Sequence, residues 1–122
     1  MDWPVKGKVT SEFGQRGGRM HNGIDIGAPI GKKIAAAAGG NVTFAGWKGG
    51  YGKTVEIDHG DGTTTRYAHL ATTKVSADDR VSRGDKIGEI GMTGSTTGPH
   101  LHFEVHDSGN ERDPRTLLID RT

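Results

Sequence analysis

Two histidines flank a leucine in the segment TGPHLHFEV near the C-terminus of the chain. Successive side chains of a strand point to opposite faces of a sheet, so His100 and His102 share one face and Leu101 lies on the other. Phe103 and Val105 continue the apolar face. Imidazoles titrate near neutral pH and ligate metals, so this pair is either half of a functional site or an incidental surface feature.

A second pattern of this kind lies in the segment HNGIDIGAP, which begins at His21. Its asparagine-glycine pair and its second glycine disfavour a helix and predict an extended or curved segment. On such a segment His21 and Asp25 share strand parity, whereas Ile24 and Ile26 face the core. Both segments therefore place polar side chains on one face and apolar side chains on the other.

Together these residue types match a catalytic zinc site, which uses three protein ligands and keeps one position open. His21, Asp25 and one histidine of the His-Leu-His pair would supply such a set. A bound water would then be acidified towards a pKa of about 7. Hydrolysis also needs a proton acceptor and an oxyanion donor. The other histidine of the pair and His69 in RYAHL are candidates for these two tasks. Each pattern taken alone also fits a surface residue, a core residue or a chance occurrence.

The composition narrows the function classes. The chain has 122 residues, a net charge of +1, and 16 basic residues interspersed with 15 acidic ones, which does not favour nucleic acid as a partner. We predict no transmembrane segment, because no apolar run approaches ~18 residues, and the N-terminus lacks the pattern of a signal peptide. With no cysteine in the chain, a metal could be held only by histidine, aspartate or glutamate.

The elements that must position these groups read as short strands joined by glycine turns. The 21 glycines and the alternating segments GKVTSEFG, GNVTFAGW and DKIGEIG predict an all-β, mostly antiparallel sandwich or barrel in one domain over residues 1–122. KTVEIDHGDGTTTRYAHL predicts a hairpin that turns at Gly60-Asp61-Gly62. Helix is minimal: one turn from Ser76, and a short helix DPRTLLID from Asp113, an N-cap residue followed by proline.

Several other side chains allow two interpretations. Glu104 could orient a ligand histidine from behind, or it could be a solvated strand residue. The loop GWKGGYGK, with Trp47 and Tyr51, is of a kind that often shapes clefts, although Trp47 is expected to pack in the core or at its rim. His59 is expected at the surface or in a turn. His106 is expected to be exposed, and the alternative is that it lines the groove. The polar loop GSTTG lies directly before the histidine pair and could border a substrate.

The motifs HNGIDIGAP, RYAHL and GPHLHFEV, in that order, resemble the M23 family of zinc metallopeptidases, the lysostaphin-like or LytM-type cell-wall endopeptidases. The resemblance extends from Trp3 to about Leu118. It implies a mostly antiparallel β fold with a groove over one zinc ion per chain. It also implies hydrolysis of peptide bonds in the stem or cross-link peptides of bacterial peptidoglycan, outside the cytoplasm, by a bacterial or phage enzyme.

The resemblance further implies roles for individual residues. His21, Asp25 and His102 match the metal ligands, and His69 and His100 match the two catalytic histidines, without indicating which is the base. We expect a monomeric catalytic domain. The alternative is a non-catalytic cell-wall-binding β module with a structural zinc, which would have no open coordination position.

Overall fold

The computed structural model describes residues 1–119. Short strands dominate this part of the chain, as the alternation of apolar and polar residues predicts. In chain order the strands are β1 (Lys8–Ser11), β2 (Gly14–Arg16), β3 (Arg19–His21), β4 (Ile24–Gly27), β5 (Lys33–Ala35), β6 (Gly40–Trp47), β7 (Lys53–Gly60), β8 (Thr63–Thr73), β9 (Arg80–Val81), β10 (Lys86–Ile90), β11 (His100–Asp107) and β12 (Asn110–Arg112).

Within the described residues, one antiparallel sheet contains ten of these strands, with the order β1-β4-β11-β8-β7-β6-β9 along its main path. Strand β10 pairs with β5 and β8, β12 pairs with β11, and β2 and β3 form a separate two-stranded sheet. The predicted all-β, mostly antiparallel fold is confirmed. The predicted hairpin is β7–β8, and its turn residues Asp61 and Gly62 have φ values of +53° and +82°, as a type I′ turn requires.

The apolar face of the central strands forms the core. Ile24 and Ile26 on β4, and Leu101, Phe103 and Val105 on β11, have no exposed surface. These are the side chains that alternate with the polar groups in the two starting segments. Their burial anchors both strands, so the polar side chains between them are held on the opposite face.

Helical structure in residues 1–119 is limited to two 3₁₀ turns, Gly49–Tyr51 and Pro114–Thr116. The second turn is the predicted C-terminal helix in shorter form, and the Asp113 carboxylate accepts a hydrogen bond from the backbone N–H of Arg115 at 3.0 Å. Asp120, the end of the predicted segment, lies outside the described residues. The segment from Ser76 forms a hydrogen-bonded turn, not a helix. None of the described helices is long and apolar enough to span a membrane.

Three neighbouring strands, β4, β11 and β8, carry most of the groups that the sequence singled out. In the register of the sheet His102 on β11 lies opposite Asp25 on β4 and, on its other side, opposite Ala68 on β8. Cross-strand neighbours have Cβ atoms about 5 Å apart. The sheet order therefore brings together residues that are far apart along the chain.

Candidate metal centre

His21, Asp25 and His102 each direct one ligand-type atom into a common site, and these atoms lie within 4.8 Å of one another. The imidazole Nε2 of His21 is 3.4 Å from Asp25 Oδ2, and His102 Nδ1 is 2.8 Å from Asp25 Oδ1. Donors around a tetrahedral zinc with bonds of 2.0–2.2 Å are separated by ~3.4 Å. Two imidazoles and one carboxylate at these spacings fit zinc after small adjustments and leave a fourth position for a non-protein ligand.

A bend in the backbone, and not strand parity alone, brings His21 to Asp25. Four residues of a straight strand would separate the two by ~13 Å. The predicted curved segment is divided into β3, which ends at His21, and β4, which begins at Ile24. At the bend, a Cβ on Gly23 would clash with the backbone carbonyl of Phe103. Glycine therefore lets this bend pack against β11.

His69 reaches the same face of the sheet through an irregularity in β8. Strand alternation would place it on the face of Tyr67, which is fully buried and packs on Phe103. His69 instead has a φ of +65°. The pairing of β8 with β7 shifts register between Tyr67 and Leu70, and the pairing with β10 shifts again just beyond Leu70. Its ring centroid lies 4.9 Å from that of His100. A non-glycine residue in this conformation costs roughly 1–2 kcal/mol, and such strain is concentrated at functional sites.

The hydrogen bonds of His69 and His100 define their tautomers. His69 Nδ1 lies 2.7 Å from the carbonyl oxygen of Thr93, and His100 Nδ1 lies 2.9 Å from that of Gly98. A carbonyl only accepts, so Nδ1 carries the proton in both neutral rings and Nε2 is free to accept one. His100 Nε2 is 3.6 Å from Asp25 Oδ1. Burial lowers the pKa of His69, which keeps the ring neutral.

The charges within the cluster shift the ionisation of its members. Burial raises the pKa of Asp25, but the hydrogen bond from His102 and the nearby imidazoles outweigh burial and lower it. Burial lowers the pKa of His102, but hydrogen bonds to Asp25 and Glu104 outweigh burial and raise it to about 9. Without a cation, His102 therefore holds two protons near neutral pH, and a metal would have to displace the proton on Nδ1.

The ring nitrogens that face away from the cluster also have partners. His21 Nδ1 donates to the carbonyl of Glu12 at 2.9 Å, and His102 Nε2 lies 2.7 Å from Glu104 Oε2. Glu104 is only 1% exposed, so its interpretation as a solvated residue is wrong. Burial raises the pKa of Glu104, but hydrogen bonds from His102 and His106 outweigh burial and lower it to about 2.

Two cavities flank the cluster. One of about 280 Å³ lies beside His69 and His102 and is also lined by Tyr51 and Ser95. The other, of about 350 Å³, lies beside His100 and Asp25 and is also lined by residues 10–11 and 97–99. Residues of the glycine-rich loop and of the loop that contains GSTTG therefore border the site.

These two loops are joined by hydrogen bonds that the sequence did not indicate. The N–H of Ser95 donates to the carbonyl of Gly50 at 2.8 Å, and the N–H of Lys53 donates to Thr93 Oγ1 at 2.9 Å. Thr93 was not singled out in the sequence, because a threonine after a strand carries no signal for its tertiary partners. The only sequence signal for a role of Tyr51 at the site was its place in the glycine-rich loop.

His59, His106 and Trp47 lie away from the candidate metal site formed by His21, Asp25 and His102. His59 is on β7, where its ring bonds the carbonyl of Gly39 at 2.8 Å and Thr65 Oγ1 at 2.7 Å. His106 is half-buried rather than exposed, because its Nε2 donates to Glu104 at 2.7 Å. Trp47 is 60% exposed and is not among the described residues that pack against the core, so the expectation that it packs in the core or at its rim is wrong.

Comparison with known proteins identifies relatives over nearly the whole chain. The model of peptidase family M23 matches residues 19–114. A DD-carboxypeptidase/endopeptidase, Mpg of Neisseria meningitidis, is 43% identical over 118 residues, which cover 92% of this chain and 27% of that protein. The murein hydrolase activator NlpD of Escherichia coli is 39% identical over 120 residues, covering 98% of this chain and 31% of that protein. The chain thus spans between a quarter and a third of these curated relatives.

A solved structure described as a zinc containing peptidase from Vibrio cholerae has the same fold. It superposes with a TM-score of 0.84 at 36% identity, over 91% of this chain and 37% of that one. The residues matched by the family model include all three sequence motifs.

Proposed function

The chain belongs to peptidase family M23, and from that premise we propose that it is a zinc-dependent endopeptidase that hydrolyses peptide bonds in the stem or cross-link peptides of bacterial peptidoglycan. One observation carries this proposal: ligand-type atoms of His21, Asp25 and His102 converge within 4.8 Å of one another, directly beside the paired rings of His69 and His100.

We assign one zinc ion per chain to His21 Nε2, a carboxylate oxygen of Asp25, and His102 Nδ1. Their donor types and spacing support zinc, and three protein ligands leave the open position that catalysis needs. A zinc ion held there would polarise the scissile carbonyl and lower the pKa of a bound water towards about 7.

His69 and His100 are the groups that we assign to proton transfer. In the neutral form of each ring the proton is on Nδ1, which faces a backbone carbonyl, so Nε2 is the nitrogen that can accept a proton. An imidazole in this state accepts the proton of an attacking water, and in its protonated state it donates a hydrogen bond to an oxyanion. We propose that the two rings divide these tasks.

The cavities on either side of the cluster support a peptide as the substrate. A peptide that occupied both cavities would contact His102 and His69 in one and Asp25 and His100 in the other. Hydroxyl-bearing residues in the linings, Ser95 in one cavity and Thr10, Ser11 and Thr97 in the other, suit the hydrogen-bonding groups of a peptide backbone. We further propose that residues 1–122 act as a single monomeric catalytic domain on the cell wall, outside the cytoplasm.

Similarity to NlpD, a murein hydrolase activator by name, favours a second candidate. In that case the chain would bind the cell wall or another hydrolase and stimulate lysis without cutting bonds itself. A non-catalytic wall-binding module with a structural zinc makes the same prediction for the isolated chain. The complete set of ligand-type and proton-transfer side chains favours the enzyme.

Digestion of purified peptidoglycan separates these functions. We expect the isolated, zinc-loaded chain to release soluble fragments from peptidoglycan of one or more cross-link types, and mass analysis of the new ends identifies the bond. The chelator 1,10-phenanthroline should abolish release, whereas its non-chelating 1,7 isomer should not. A chain that binds peptidoglycan and cuts none of the cross-link types would favour the non-catalytic candidates.

Variants test the individual assignments. His102→Ala should lose zinc and hydrolysis together, whereas His69→Ala or His100→Ala should keep zinc and lose turnover. His59→Gln is the matched control, because this histidine lies on β7 with partners outside the cluster. Full zinc content and full hydrolysis in His102→Ala would contradict the ligand assignment.

A further inference from the structure

Glu104 is a buried carboxylate whose two oxygens accept four hydrogen bonds. Oε2 accepts from the hydroxyl of Tyr51 at 2.8 Å and from His102 Nε2 at 2.7 Å. Oε1 accepts from Arg66 Nη1 at 3.0 Å and from His106 Nε2 at 2.7 Å. An ionised carboxylate has about four acceptor positions, so this one is saturated by donors from three segments of the chain.

The position of Glu104 determines which nitrogen of His102 is free for a cation. An ionised carboxylate only accepts hydrogen bonds, so the nitrogen that faces Glu104 must carry a proton. That nitrogen is Nε2, and the other nitrogen, Nδ1, is the one that faces Asp25 and the metal cluster. Of the two neutral tautomers of the ring, the contact with Glu104 selects the one that can ligate through Nδ1.

Charge compensation keeps the Glu104 carboxylate ionised although only 1% of its residue surface is exposed. Arg66 lies between two carboxylates, with Nη1 on Glu104 at 3.0 Å and Nε on Glu56 at 2.7 Å. A buried charge is tolerated only when it is paired and hydrogen-bonded. The guanidinium therefore supplies the positive charge, which leaves His102 free to be neutral when it binds a metal.

We infer that Glu104 is a positioning residue for the metal centre, which holds His102 in the Nε2–H tautomer and in the ring orientation that presents Nδ1 to a divalent cation. This inference rests on the proposed metal site and extends it to a residue with no direct contact to the cation. A carboxylate behind a ligand histidine also increases the basicity of the ligand, and loss of such a partner typically weakens metal binding 10- to 100-fold.

The test compares Glu104→Gln with the wild-type chain and with the control Glu56→Gln. The glutamine is isosteric, but its NH₂ group would meet a donor where the carboxylate oxygen had accepted. Glu56→Gln removes a carboxylate from the same arginine without touching His102. The zinc dissociation constant, measured by competition with a chromophoric chelator, should rise 10- to 100-fold in Glu104→Gln and should stay at the wild-type value in Glu56→Gln.

A second measurement examines the wild-type chain first and the variant afterwards. In ¹⁵N-edited spectra of the zinc-loaded wild-type chain, His102 should show a slowly exchanging Nε2–H and a metal-bound Nδ1. In Glu104→Gln, if it folds, that proton should exchange faster. A role of Glu104 in folding alone would not move the spectroscopic signature of one ring. An Nδ1–H tautomer with zinc on Nε2, or an unchanged dissociation constant in a folded Glu104→Gln, would overturn the inference.

The two proposals can fail separately. A chain that binds zinc and cuts no peptidoglycan would refute the proposed enzyme, and the inference about Glu104 would still be decided by the dissociation constants and the spectra. Hydrolysis with wild-type zinc affinity in Glu104→Gln would overturn the inference and leave the enzyme standing. A chain that binds no zinc would overturn both.

Discussion

The ring centroids of His69 and His100 are 4.9 Å apart, although regular strand alternation would put His69 on the opposite face of the sheet. The φ of +65° at His69 and the register shift between β7 and β8 that spans this residue redirect the side chain. The neighbouring strand residue Tyr67 stays in the core. The pairing of the two histidines therefore depends on a strained backbone conformation at one of them.

This strain predicts an unusual order of stability for substitutions at His69. Glycine adopts a positive φ without a steric penalty, whereas the Cβ of alanine still incurs that penalty. We expect His69→Gly to be more stable than His69→Ala by about 1 kcal/mol in urea unfolding, with both variants inactive on peptidoglycan.

Thr64, elsewhere on β8, provides the control pair, because its φ is not positive. Glycine weakens an ordinary strand, so Thr64→Gly should be less stable than Thr64→Ala. If the two positions gave the same order of stability, the strain at His69 would be refuted.

Zinc should stabilise the folded chain, because the ligand atoms of His21, Asp25 and His102 converge only in the native state. At a free zinc concentration 100 times the dissociation constant, the free energy of unfolding should increase by about 3 kcal/mol. Chemical unfolding with buffered zinc and with a chelator measures this difference. Asp25→Asn should lose most of this zinc-dependent increase in the free energy of unfolding. An increase as large as that of the wild type would show that Asp25 is not a ligand.

Tyr67 should destabilise the fold at alkaline pH. Burial raises its pKa from 10.0 to about 12, against the hydrogen bonds from Thr65 and Ala37. Because the folded-state pKa lies above the unfolded one, the stabilisation is fully present below pH 10 and is lost as the pH rises towards 12. Two pKa units correspond to about 3 kcal/mol.

Urea unfolding of the wild-type chain and of Tyr67→Phe between about pH 9 and about pH 12 tests this. The variant should be less stable at neutral pH, since the N–H of Ala37 loses its acceptor. It should nevertheless lose less stability at high pH than the wild type. Parallel pH curves for the two proteins would contradict the assignment.

Gly94 should be essential for the packing of the two loops that border the site. It has a φ of +79°, and a Cβ there would clash with the backbone of the glycine-rich loop at Gly50 and Gly52. We expect Gly94→Ala to separate the two loops and to reduce turnover at unchanged zinc affinity. Gly84 has a φ of +90° and open space around it, so Gly84→Ala should cost only the backbone strain, about 1 kcal/mol, at full turnover. Equal losses of stability and activity in the two variants would refute the role of Gly94.

The sequence predicted more of the fold than of the geometry of the site. Alternation identified the apolar faces of β4 and β11, and the turn residues identified the β7–β8 hairpin, because both signals depend on residues close together in the chain. The single turn predicted from Ser76 is present, closed by side-chain and backbone hydrogen bonds between Ser76 and Asp79, but it is not helical, because Asp78 has a φ of +77°. The M23 resemblance, carried by the order of three motifs, is confirmed by the match to the family model.

By itself the sequence determined which donors are available: six histidines, no cysteine, and polar residues alternating with buried ones. The roles of His21, Asp25, His102, His69 and His100 remain predictions that the variants above test. Their arrangement was decided only by the tertiary structure, because the partners that impose it are distant in the chain.

The bend at Gly23 packs against β11, and the contact between His102 and Asp25 joins residues 77 positions apart. The positive φ of His69 accompanies a register shift between the paired strands β7 and β8. Glu104 is ionised in the interior only because Arg66, His102, His106 and Tyr51 surround it. Local periodicity specifies which face a side chain takes in a regular strand. It carries no information on where long-range packing interrupts the strand or which distant groups then meet.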